Sequence, residues 1–145
     1  MYLLDTNIVS MFDARRHTQA PAMIGWLKRN GASLFLCVMT MTGMNAGVLK
    51  LRRQGKTERA DQVAALVTAI LTDFADRVLS IDLETARHVA RLGEVTHQQP
   101  VALSDLIIAA TASRHELIVL TRNLSEFGRL GVPVRDPFVD LPPDV

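Results

Sequence analysis

Short apolar runs bounded by polar or turn residues recur along the chain, at Tyr2–Leu4, Ser33–Val38, Arg77–Ser80 and Leu117–Leu120. They are too short for helices and do not alternate as a strand with one wet face would, so they read as strands buried on both faces. Val132-Pro133-Val134 is a candidate fifth, and its proline, which cannot donate to a ladder, suits an edge. Between the runs the apolar spacing becomes helical. Pro21 suits a first helical position ahead of Ala22–Leu27, and a helix is expected over Thr42–Leu51. Ala60, Val63, Ala64, Val67, Ile70, Leu71 and Phe74 form an apolar stripe. Asp82 is a candidate cap for a helix carrying Ala86, Val89, Ala90 and Leu92. Ser104 is a candidate cap for one burying Leu106, Ile107, Ala110 and Thr111. Strands alternating with helices predict an α/β domain: a central, mostly parallel sheet of four to five strands with helices on both faces.

A chain of 145 residues with 48% hydrophobic content suffices for one packed domain. That domain is assigned to residues 1–140, with Leu141–Val145 as an extended tail. The longest apolar stretch, Leu34–Met41, is too short to cross a bilayer. The N-terminus has no basic segment and meets an acid at position 5, unlike a signal peptide, so no membrane association is expected. One cysteine, Cys37, rules out an intrachain disulfide. It sits in an apolar run as a small buried hydrophobe, and a reducing cytoplasm is the expected setting. The net charge of +1 means that any nucleic-acid contact must rest on local patches. The densest patch is Lys50, Arg52, Arg53, Lys56 and Arg59, which reads either as a phosphate-binding segment or as a solvated helix end.

The first strand delivers Asp5-Thr6-Asn7 to its C-terminal tip, where open α/β sheets place their chemistry. Asp5 alone reads as a helix cap or, equally, as a metal-binding carboxylate or a nucleophile. Asp105 opens an apolar helix, where an acid also complements the helix dipole. The fourth strand ends in Thr121-Arg122-Asn123, and Asn123 is either a ligand, through its amide oxygen or a bound water, or an ordinary turn residue. Taken together, these oxygen donors suit Mg²⁺ or Mn²⁺. No Cys/His set suggests zinc, and His17, His88, His97 and His115 read as surface groups.

At this point the motifs Leu3-Leu4-Asp5-Thr6-Asn7, Ser104-Asp105-Leu106-Ile107-Ile108-Ala109-Ala110-Thr111-Ala112, Leu120-Thr121-Arg122-Asn123 and Asp136-Pro137-Phe138 resemble those of PIN-domain ribonucleases, in the branch of the VapC and FitB-like toxins of bacterial toxin–antitoxin pairs. The resemblance covers nearly the whole chain. It implies a PIN-like three-layer fold, Mg²⁺- or Mn²⁺-dependent cleavage of RNA, a homodimer, and silencing by a cognate antitoxin within a larger assembly on operator DNA. Asp5 and Asp105 become the metal carboxylates, and Asn123 stands where many members carry Asp. Thr6, Asn7 and Thr121 become supporting groups, and Lys50, Arg52, Arg53, Lys56 and Arg122 are candidate RNA contacts.

One position departs from that pattern. Gly43 stands where the resemblance implies a second metal-binding Glu. Asp5 and Asp105 alone give a formal charge of −2, enough for one divalent ion and too little for a two-metal mechanism. Glu126, three residues beyond Asn123, is a candidate substitute ligand on the same helical face. The first functional expectation is therefore an endoribonuclease fold acting on unpaired RNA such as tRNA loops, impaired in this copy. The alternatives are a binding-only regulator that pairs with an antitoxin on promoter DNA and, more distantly, an aspartyl-phosphate phosphotransferase. The last usually needs an acid two residues after the first, where this chain has Asn7.

Overall fold

The computed structural model describes residues 1–145. Strands β1 (Tyr2–Leu4), β2 (Leu34–Cys37), β3 (Val78–Leu79), β4 (Ile118–Leu120) and β5 (Val134–Arg135) form one sheet in the order β3-β2-β1-β4-β5, and every pairing is parallel. Seven α-helices surround it: α1 (Thr6–Val9), α2 (Pro21–Arg29), α3 (Val38–Arg53), α4 (Thr57–Asp73), α5 (Leu83–Val95), α6 (Leu103–Arg114) and α7 (Leu124–Arg129). The expected mixed layering is thus present, with a fully parallel sheet of five strands.

Strand alternation divides the core in two. Tyr2 and Leu4 point to one face, where they meet Trp26 and Leu27 of α2, Met41 and Met44 of α3, and Val67 and Ile70 of α4. Leu3 points to the other, with Ile108, Ala109 and Ala112 of α6, Val119 and Phe127. Both faces are covered, which is why the strand sequences carry no polar alternation. Pro21 occupies the start of α2, and Asp82 caps α5 by accepting from the Thr85 amide at 2.7 Å, both as expected.

Three expectations require correction. The helix expected over Thr42–Leu51 begins at Val38, directly after β2, and its first backbone amides are met in part by Cys37 Sγ, which accepts from the Met39 amide at 3.4 Å. Val38, Thr40, Thr42 and Gly43 are poor helix formers, and buried Thr40, Met41, Met44 and Val48 override that preference. Ser104 is not the cap of α6. The helix begins at Leu103, and the Asp105 and Leu106 amides both donate to Ala102 O at 3.0 Å, so Ser104 lies inside the first turn. The fifth strand is Val134–Arg135 rather than Val132–Val134, although it does lie at the edge.

Residues 141–145 carry no helix or strand. They run back to α2, where buried Asn30 donates to Asp144 Oδ1 at 2.7 Å and accepts from the Val145 amide at 2.9 Å.

Candidate active site

The strand order reverses direction at β1: the chain moves from β1 to β2 on one side and later returns through β4 on the other. Such a switch point leaves a crevice beyond the C-terminal ends of the two strands. Leu4 pairs in register with Leu120, and the Asp5 amide continues the ladder by donating to Leu120 O at 3.0 Å. The next residues, Asp5 and Thr121, therefore emerge side by side.

Their side chains are held tightly. Asp5 is only 7% exposed. Its Oδ1 accepts from the Thr6 amide at 2.6 Å, and its Oδ2 accepts from Asn7 Nδ2 at 2.8 Å and from Thr121 Oγ1 at 2.7 Å. Thr121 Oγ1 in turn accepts from Asn7 Nδ2 at 3.1 Å and from the Asn123 amide at 2.9 Å. Asp5 does cap the one-turn helix α1. The cap expected from sequence is present, and the same carboxylate also lines the cleft.

Asp105 enters the same cleft from the first turn of α6 and is held far more loosely. Its carboxylate accepts only from Ser104 Oγ and Asn123 Nδ2, each at 3.4 Å. Partial burial, the nearby Asp5 charge and, more weakly, Glu126 raise its pKa above the ordinary carboxylate value, an effect that the Ser104 bond opposes.

A cleft of about 580 Å³ joins Asp5, Thr6, Asn7, Asp105 and Asn123, and Gly43 of α3 forms part of its wall. No third acidic, imidazole or thiol group joins the two carboxylates. Glu126 does not line the cleft; its carboxylate pairs with Arg129 on the same helix. A Cβ at Gly43 would meet Thr6 Oγ1 at 3.5 Å and Thr6 Cγ2 at 3.6 Å, ordinary contact distances.

The basic candidates lie elsewhere. Lys50, Arg52, Arg53 and Lys56 are exposed at and just beyond the C-terminal end of α3 and do not line the cleft. At 1.5 Å per residue, Arg53 sits about 15 Å along the axis from Gly43. Arg52 pairs with Asp61 at 3.2 Å. Arg122 borders the site through its backbone, which donates to Asn7 Oδ1 at 3.3 Å, while its guanidinium lies over the Phe138 ring at 4.6 Å. The cation that does line the cleft is Arg16. Sequence reading missed it because Asp13-Ala14-Arg15-Arg16 has neither helical nor strand periodicity. The one available signal was Asp13, which caps the short 3-10 segment Ala14–Gln19.

A parallel sheet with an acidic cleft at its switch point defines a class, and comparison with known proteins places the chain in it. Residues 2–132 match the PIN domain family, and the chain belongs to that family. It is 32% identical to toxin FitB of Neisseria gonorrhoeae, over 97% of this chain and all of that one. It is 29% identical to VapC ribonuclease Y4jK of Sinorhizobium fredii, over 95% of this chain and 98% of that one. The FitAcB crystal structure from N. gonorrhoeae superposes with a TM-score of 0.78 at 29% identity, over 95% of this chain and 99% of that one. FitAB bound to an IR36 DNA fragment gives 0.68 at 29% identity, over 95% and 96%. The chain is thus a PIN-domain protein homologous to toxins of toxin–antitoxin systems.

Proposed function

We propose that this chain is the toxin of a toxin–antitoxin pair, a divalent-metal-dependent endoribonuclease by descent, and that Gly43 leaves this copy impaired. The observation that carries the reading is the cleft itself: Asp5, Asp105 and Asn123 converge from three separate elements, with Gly43 in the wall beside them.

The donors fit one divalent cation. Asp105 makes only two long contacts, so its oxygens have lone pairs to offer, and burial and the Asp5 charge raise its pKa. Asp5, fixed by three donors, presents one rotamer. Oxygen donors of this kind suit Mg²⁺ or Mn²⁺. Two carboxylates balance one such ion, and a second has no third acid to hold it.

When bound, a divalent ion lowers the pKa of its water and offsets charge on the phosphate. The chain supplies the placement. Thr121 and Asn7 hold Asp5 in position, while Asn123 and Ser104 border Asp105 and set where a phosphodiester enters. An unpaired RNA segment, such as a tRNA loop, fits an open cleft of this kind better than a duplex whose base edges are hidden. A single PIN-like domain over residues 1–140, working as a cytoplasmic homodimer bound by its antitoxin on operator DNA, completes the proposal. The FitAB–DNA complex among the structural neighbours supports the antitoxin and DNA part of this reading.

The test is RNA cleavage by the parent and by Gly43→Glu, each with Mg²⁺, with Mn²⁺ and with EDTA. The expected result is slow or absent cleavage by the parent, a metal-dependent gain in Gly43→Glu, and loss of that gain on adding Asp5→Asn. Equal, robust cleavage by parent and Gly43→Glu would overturn the impairment. The lack of a third ligating acid beside Asp5 and Asp105 favours a second reading, an inactive regulator. Co-purification with an antitoxin and no cleavage even by Gly43→Glu would favour it.

A further inference from the structure

Beside the acidic cleft lies a basic one. Asp13, Arg15, Arg16, Gln19 and Arg59 line a depression of about 460 Å³ that contains no apolar residue and carries a formal surplus of positive charge. Its construction is specific. The Asp13 carboxylate accepts from the Arg15 amide at 3.1 Å and pairs with Arg59 of α4, and both Asp13 and Arg59 are half-buried. Burial alone would raise the pKa of Asp13. The Arg59 and Arg15 bonds and their charges more than offset that, so Asp13 stays ionised and fixes the segment that carries Arg15 and Arg16.

Arg59 is therefore spent on Asp13, whereas Arg15 and Arg16 face solvent without a carboxylate partner. Arg16 makes one long contact, donating to Ser10 Oγ at 3.4 Å. It also lines both depressions, the acidic cleft and the basic one. The two are thus adjacent, and the guanidinium at their junction is free to bind.

We propose that Arg16, with Arg15 behind it, is the phosphate-holding track for the RNA strand next to the scissile phosphodiester. This rests on the nuclease reading above and assigns to that site a positioning residue. A strand entering the cleft passes Arg16, which lines both depressions, and then Arg15 in the basic one, where a guanidinium forks onto phosphate oxygens.

The experiment is fluorescence anisotropy of a labelled, unstructured oligoribonucleotide in EDTA, titrated with full-length protein across a KCl series. Arg16→Ala is expected to weaken binding about tenfold at low salt, the loss of one charge-assisted contact. It should also lower the slope of log K against log salt by about 0.7, the value for one single-strand phosphate. Arg15→Ala should act in the same direction, Arg16→Lys should keep the parent's salt slope but recover only part of the affinity because it lacks the fork, and Arg91→Ala, a control charge loss on α5, should leave binding unchanged. Both Arg15 and Arg16 are exposed, so thermal melts should match the parent. Parent-like affinity and slope in Arg16→Ala, or an equal loss in Arg91→Ala, would overturn the track while leaving the nuclease reading intact. A parent that binds no RNA would overturn both.

Discussion

Thr121→Val removes one hydroxyl from the centre of the site and keeps the side-chain volume. Thr121 is fully buried, and its Oγ1 makes three hydrogen bonds: it donates to Asp5 and accepts from Asn7 and from the Asn123 amide. The bond to the buried carboxylate is worth about 1.5–3 kcal/mol. Asn7 Nδ2 still has Asp5 as a partner, so its loss is small. The Asn123 amide loses its acceptor, at about 1 kcal/mol. The variant should therefore be about 3 kcal/mol less stable, a fall in melting temperature of about 10 °C for a domain of this size. Thr121→Ser keeps the hydroxyl and gives up one methyl, at about 1 kcal/mol. Scanning calorimetry of the three proteins at neutral pH measures the difference. A Thr121→Val melt within about 2 °C of the parent, or one no lower than Thr121→Ser, would refute the claim that Thr121 holds Asp5.

Other predictions concern Asp105 and the C-terminal segment. The pKa of Asp105 is raised, so the folded state binds its proton more tightly than the unfolded state. The stability this group contributes is full below the ordinary carboxylate pKa and is lost as pH rises through the raised value. Asp105→Asn should consequently melt above the parent at pH 7, with a margin that shrinks in acid. A margin constant from pH 3 to 7 would contradict this. Adding Mg²⁺ should raise the parent's melting temperature at pH 7 and leave Asp5→Asn/Asp105→Asn unmoved. Asn30→Ala cuts a buried bond to Trp26 O and half-buried bonds to Asp144 and the Val145 amide. It should cost about 2 kcal/mol and expose residues 141–145 to carboxypeptidase, which should otherwise trim them slowly.

Much of this architecture was legible because burial on both faces leaves a plain mark: Tyr2–Leu4 and Leu117–Leu120 contain no charged or amide side chain, and Asp5 and Thr121 follow at once. What the pattern could not carry was register. That Leu4 pairs with Leu120, and so sets Thr121 against Asp5, depends on contacts more than a hundred residues apart. The start of α3 was hidden for a related reason. Its first turns are written in poor helix formers, and only packing against both the sheet and α4 makes them helical. Arg16 was invisible because a 3-10 segment has no apolar period, and its meaning depends on where Asp13 and Arg59 pin it. The basic run at the end of α3, by contrast, was conspicuous in the sequence and lies apart from the cleft.

Gly43 is the residue whose presence most needs a reason, and the fold supplies none. Glycine is required where φ is positive or where a Cβ would strike a neighbour. Gly55 and Gly131 have positive φ, but Gly43 does not, and its Cβ would make only ordinary contacts with Thr6. In a helix interior it costs about 1 kcal/mol relative to Ala. Position 43 is therefore open to a side chain, faces the cleft, and is mildly destabilising as it stands. A third carboxylate placed there without a cation would add repulsion to a pair that already raises the pKa of Asp105. With a divalent ion the same carboxylate would be a ligand. The consequence of glycine at this position thus falls on the charge balance of the cleft, between a site that needs a cation to be stable and one that tolerates its absence.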